Sequence, residues 1–147
     1  MTEEGGAVAQ DTGVAAMMQE LSALRDRVTG ALGCVLAAVD GLLLMFDPDV
    51  GPEPYELAAL AAAAVGVGRQ SSQSLRQGVY RESTIHSDHG YFTVYAVGDT
   101  ALLAVVGDEG MNVARLHLEA RAIAPRLATL LHANPVPLPA LTWGRAV

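Results

Sequence analysis

The chain has 147 residues, 51% of them hydrophobic, and a formal net charge of −7. That length and apolar content fit one domain with a core able to fold without staples. The acidic balance argues against nucleic acid and anionic membrane surfaces, both of which need basic patches. A single cysteine, Cys34, excludes an internal disulfide and a cysteine-rich zinc site. All nine basic residues are arginine, and alanine and glycine are abundant, a bias typical of a GC-rich genome such as an actinobacterial one. The acidic start Met1-Thr2-Glu3-Glu4 lacks the basic region of a signal peptide, and the longest apolar run, Leu57 to Val65, is too short for a bilayer. A cytoplasmic protein is expected.

Residues 1–11 are small and polar and are expected to be disordered. Val14, Met17/Met18, Leu21, Leu24, Val28 and Ala31/Leu32 then recur at steps of three and four, the spacing of an amphipathic helix, with Gly30 and Gly33 at its exit. Gly33 to Phe46 contains two apolar runs around Asp40-Gly41, a strong hairpin signal that places φ > 0 at both turn residues. The runs do not alternate, so the hairpin is expected to be covered on both faces. It holds no catalytic residue type besides Asp40 and Cys34, which leans away from an enzyme, and Cys34 reads as a small buried hydrophobe.

Three prolines make residues 47–54 a loop. A second helix from about Tyr55 to Leu75 is crowded with alanine and contains Gly66 and Gly68, each weakening it by about 1 kcal/mol relative to Ala, so packing must offset them. Three strands follow. Val79 to His86 is polar, as an edge strand should be, and Tyr91 to Val97 mixes polar and aromatic residues. Ala101 to Val106, after a Gly98-Asp99 turn, is apolar throughout and belongs in the centre. A last helix after Gly110 carries the stripe Val113, Leu116, Ala120, Ile123, Leu127 and Leu130/Leu131, with a kink expected at Pro125. Residues 134–147 form a Pro-rich flexible tail with Trp143. The domain is therefore residues 12–133, an α+β three-layer α/β/α sandwich. Its five-stranded, mainly antiparallel sheet has the order 2-1-5-4-3, the profilin-like arrangement.

This element order and the segment Gly30-Ala31-Leu32-Gly33-Cys34-Val35-Leu36-Ala37-Ala38-Val39-Asp40-Gly41-Leu42 resemble the roadblock/dynein light chain family, over about residues 12–133. The resemblance implies a non-enzymatic module that regulates or scaffolds a small Ras-like GTPase in signal transduction, in actinobacteria beside a sensor-kinase-like protein. It also implies a two-fold dimer through the second helix and third strand. The residues agree independently: the helix offers a small-residue face and the strand a free edge. The expected interface is Leu60, Ala61, Ala64, Val67 and Ser71 with Tyr80, Arg81 and Glu82 of the strand. No catalytic residue, cofactor or metal is expected.

Other candidates read as structure. His86-Ser87-Asp88-His89 offers too few ligands for a metal and fits a solvated turn. Gly66-Val67-Gly68-Arg69-Gln70-Ser71 follows a helix, not a strand, which disfavours a phosphate loop, and no Gly-Lys-Ser/Thr exists for a P-loop GTPase. Ser71, Ser72, Ser74, Ser83 and Ser87 have no evident His-Asp partners. Arg76 and Arg81 flank the third strand and read as surface charge rather than as groups reaching a phosphoryl transfer. Two rival functions share parts of the pattern. A PAS or profilin-like sensor requires a cavity inside the sheet, and a hotdog-type thioesterase requires a carboxylate near the helix start, for which Glu56 is available.

Overall fold

The computed structural model describes residues 2–47 and 53–134, with side chains from residue 12 onward. The elements are α1 (Thr2–Arg27), β1 (Ala31–Ala38), β2 (Leu43–Asp47), α2 (Pro54–Ser74), β3 (Glu82–Ser87), β4 (Gly90–Val97), β5 (Ala101–Asp108) and α3 (Val113–Ala133). The strands form one antiparallel sheet in the order β2-β1-β5-β4-β3, as the sequence predicts. The Pro-rich tail with Trp143 and most of the 47–54 loop lie outside the described residues.

Two cores flank the sheet. On one face α1 and α3 set Met17, Leu21, Leu24, Val28, Leu116, Ile123 and Leu127 against Cys34, Leu36, Tyr95, Leu103 and Val105. On the other, α2 lays Leu57, Ala58, Ala61 and Val65 on Val35, Ala37, Val94, Leu102 and Ala104. Alternate residues of β1 and β5 thus enter different cores, which is why neither strand alternates apolar with polar. Small side chains on both sides of the second core let α2 approach the strands closely.

Several local expectations change. α1 starts at Thr2, ahead of the apolar repeat and within the stretch expected to be disordered, and it ends at Arg27. Ala31 and Leu32, read as the helix's last stripe residues, open β1 instead, because Gly30 at φ 85° turns the chain out of the helix. At the Asp40-Gly41 turn only Gly41 has positive φ (94°). Gly41 N–H donates to Ala38 O (2.9 Å) and Ala38 N–H to Leu42 O (2.8 Å), which makes a three-residue loop closed by a glycine bulge. Asp40 helps through its carboxylate, which accepts from Leu42 N–H at 3.0 Å. β2 is a sheet edge: Leu43 enters the α2 core and Met45 the opposite one, but Phe46 is exposed, so the cover on both faces is complete for β1 and partial for β2. Val97 pairs with Ala101, leaving Gly98, Asp99 and Thr100 as a three-residue connection rather than the two-residue turn expected there.

α2 ends in a Schellman-type cap: Gln77 N–H donates to Ser72 O (2.9 Å) and Arg76 takes the left-handed conformation, φ 54°. Residues 75–81 then cross to β3, which begins at Glu82 rather than near Val79. Asn112 caps α3 by accepting from Arg115 N–H at 3.0 Å. α3 continues through Pro125.

Candidate interaction surface

α2 lies across all five strands. One flank faces the hairpin tips, where Gly41 sits beside Ala59 and Ala62, and where an Arg69 Nη2–H donates to Asp99 O (2.9 Å). Val39 N–H donates to Thr100 O at 2.9 Å, so both tips are at the same end of the sheet. The opposite flank, at helical spacing, carries Leu60, Ala64, Val67 and Ser71 and so looks toward the other end. Leu60 is 52% and Val67 68% exposed.

That other end of the sheet is apolar too. Val106 pairs with Phe92, and Phe92 with Ile85, in a row running from β5 to the edge of the sheet on the α2 face. Phe92 and Val106 are half-buried and Ile85 is 50% exposed. β3 is hydrogen-bonded to β4 on one side, and its other side is an edge of the sheet. An apolar helix flank, an apolar row and a strand edge therefore border one another.

The expected interface residues divide. Leu60, Ala64, Val67 and Ser71 share the outward flank, with the Ser71 hydroxyl donating to Val67 O at 2.8 Å. Ala61 does not: it is fully buried against the sheet, because helical spacing turns it onto the same side as Leu57 and Val65. Tyr80 is also buried, its ring against Gly68 and its hydroxyl 2.5 Å from Ser83 Oγ; burial raises its pKa. Glu82 points to the α1/α3 face, where its carboxylate accepts from both Nε (3.1 Å) and Nη2 of Arg121. That fork holds the Glu82 carboxyl below the usual carboxylate range. Arg81 is exposed. Ile85, Phe92 and Val106 were missed, although one isoleucine in an otherwise polar strand was the signal for them.

The remaining candidates fall into structural roles. His86 stacks on Tyr91 with centroids 4.3 Å apart, and His89 Nδ1 is 3.6 Å from a Glu109 carboxylate oxygen. Among the described residues no group of three metal-binding side chains occurs. Gly66 to Ser71 lies inside α2 and forms no phosphate loop. Glu56 is exposed in the first turn of α2. Cys34 is buried, which pushes its thiol up to about 12 and makes it inert. Among the described residues no helix is long and apolar enough to cross a membrane.

Comparison with known proteins places this architecture. A roadblock/LC7 domain from Streptomyces avermitilis superposes with a TM-score of 0.72 at 23% identity, covering 78% of this chain and 96% of the other. MglB, a gliding protein of Thermus thermophilus, gives 0.71 at 18% identity, over 79% and 88% of the two chains. An MglB in a tetrameric arrangement gives 0.73 at 19% identity, over 85% and 91%. No curated protein matches the sequence. The Roadblock/LC7 domain model matches residues 17–107, from the middle of α1 through β5, and on that match the chain belongs to the Roadblock/LC7 family.

Proposed function

We propose that this protein is a homodimeric, non-catalytic regulatory module that binds a small Ras-like GTPase in the cytoplasm and positions it, with a sensor-kinase-like protein as a further partner. The observation that carries the reading is the junction of the exposed α2 flank, Leu60, Ala64, Val67 and Ser71, with the open edge of β3. A second copy laid antiparallel on that edge joins two sheets and satisfies the edge's backbone groups. The two α2 flanks then cover each other's apolar side chains. Family membership supports a regulatory module, and an MglB in a tetrameric arrangement supports the assembly of copies.

A module of this kind changes GTP hydrolysis by favouring one arrangement of the GTPase's switch loops, and the phosphoryl-transfer chemistry stays with the GTPase. A sensor role has less support, because the α2 core is filled by alanine, valine and leucine side chains packed between the helix and the sheet. Light scattering at micromolar concentration should give twice the chain mass, and Leu60→Asp/Val67→Asp should give one chain mass. A wild-type monomer overturns the dimer. Hydrolysis by the cognate GTPase with and without this protein, together with binding in both nucleotide states, tests the regulatory role. No binding in either state overturns it.

A further inference from the structure

The other flank of α2 borders a second surface. β4 runs past its last pairing with β3, Tyr95 to Glu82, as far as Val97. The crossing segment follows β4 for one residue more, Ala96 N–H donating to Arg81 O at 2.9 Å, and then leaves it. The gap is a groove of about 870 Å³ between the end of α2 and the middle of α3. Val79, Tyr80, Tyr95, Pro125 and Ala128 are among its apolar walls.

Its charge runs against that of the molecule. Three of the nine arginines, Arg69, Arg81 and Arg121, line it in a chain of net charge −7. Arg121 is neutralised by Glu82, both of whose oxygens it engages. Arg69 is held by a backbone carbonyl, Asp99 O, which leaves its charge uncompensated by that bond. Arg81 is exposed, and Asp99 is the one carboxylate of the lining besides Glu82. Two guanidinium groups thus line an apolar trough together with one exposed carboxylate, Asp99.

We propose that this groove receives an extended peptide segment of a partner protein, carrying a carboxylate side chain beside small apolar ones. The carboxylate satisfies the forks of Arg69 and Arg81, a geometry guanidinium groups favour. The apolar side chains cover Tyr80, Pro125 and Ala128. A free phosphate has the charge but leaves those walls bare. The groove is on the hairpin-tip side of α2 and the Leu60–Val67 flank on the other, and of β3 it takes only the first residue, Glu82, so the α2 contact of the proposed dimer does not cover it.

The test is selection of random octapeptides displayed on phage against the immobilised full chain. Wild type should enrich peptides with Asp or Glu next to small apolar residues. Arg69→Gln/Arg81→Gln should lose that enrichment. One selected peptide, titrated by fluorescence anisotropy, should bind at least tenfold more weakly when its acid is changed to the amide, and likewise to Arg81→Gln alone. Arg81 is exposed, so that single change does not put folding at risk. Arg115→Gln, outside the groove, and Leu60→Asp/Val67→Asp should bind within twofold of wild type. Absence of acidic enrichment, enrichment that survives the double arginine change, or loss of binding in Leu60→Asp/Val67→Asp overturns the assignment. So does displacement of the peptide by equimolar inorganic phosphate.

Discussion

The two faces of the sheet are covered by different means. On one, α1 and α3 lie side by side and bring leucine, isoleucine and methionine to the strands, all fully buried. On the other, α2 alone crosses all five strands and contacts them largely through alanine. An eight-residue strand is about 26 Å long, whereas a helix with its side chains is about 10–12 Å wide. One helix across the strands must leave a margin on each side. One margin here is the apolar row Val106, Phe92 and Ile85, and the other is the arginine-lined groove. The doubly covered face supplies stability, and the sparsely covered face leaves surfaces for other molecules.

The largest test of that contrast exchanges the same residue type on the two faces. Leu116 is fully buried between α3 and the sheet, so Leu116→Ala should cost about 3 kcal/mol, with the cavity adding to the lost transfer energy. Leu60→Ala, on the open flank of α2, should change the stability of the isolated chain by about 0.5 kcal/mol or less. Urea unfolding at a dilution that leaves monomers separates the two. Equal losses would mean that the open flank is structural. A smaller but still clear cost is expected at Gly68, where an added methyl runs into the Tyr80 ring, well inside van der Waals contact. The ring is buried and its hydroxyl is tied to Ser83, so Gly68→Ala should destabilise by about 1–3 kcal/mol and alter the groove that Tyr80 lines.

Much of this fold was legible because apolar periodicity and turn residues are local signals. The double burial of β1 and β5 followed from runs without alternation, and the sheet order from ranking strands by polarity. The errors came where tertiary contact overrides the local signal. Ala31 and Leu32 continue the helical repeat, but Gly30 in the left-handed region, with Met111 and Asp108 packed on it, redirects them into a strand. The candidate interface was legible only by face. The spacing of Leu60, Ala64 and Val67 put them on one flank, but no local signal says that Ala61 turns inward or that Glu82 reaches across to Arg121. The groove was not legible, because it depends on how far one strand overhangs its neighbour and joins residues from α2, β4 and α3.

The Glu82–Arg121 fork ties the edge strand to α3, so it tests how firmly the sparsely covered side is joined to the rest. Arg121 is half-exposed and solvent screens the pair, which limits Glu82→Gln to a small fall in the urea midpoint at neutral pH. The sign with pH is fixed. Arg121 lowers the folded-state pKa of Glu82, so the stabilisation is present above the ordinary carboxylate pKa and is lost as pH falls through the lowered folded value. The difference between wild type and Glu82→Gln in urea unfolding should therefore shrink on acidification below about pH 4. A difference independent of pH would assign the cost to packing rather than charge.

The smallest effect should have the opposite sign. Gly66 and Gly68 stand two positions apart in α2, but the added methyl that strikes Tyr80 from Gly68 meets nothing within 4 Å from Gly66. Gly66 is exposed, so its cost is the backbone entropy of a glycine inside a helix, and Gly66→Ala should stabilise the chain by about 0.4–1 kcal/mol. Helical spacing puts Gly66 on the side away from Leu60 and Val67, so the gain should appear as the same rise in Tm in wild type and in Leu60→Asp/Val67→Asp. A rise confined to Leu60→Asp/Val67→Asp would mean that a second chain also packs against Gly66, so that the dimer contact reaches beyond the flank carrying Leu60.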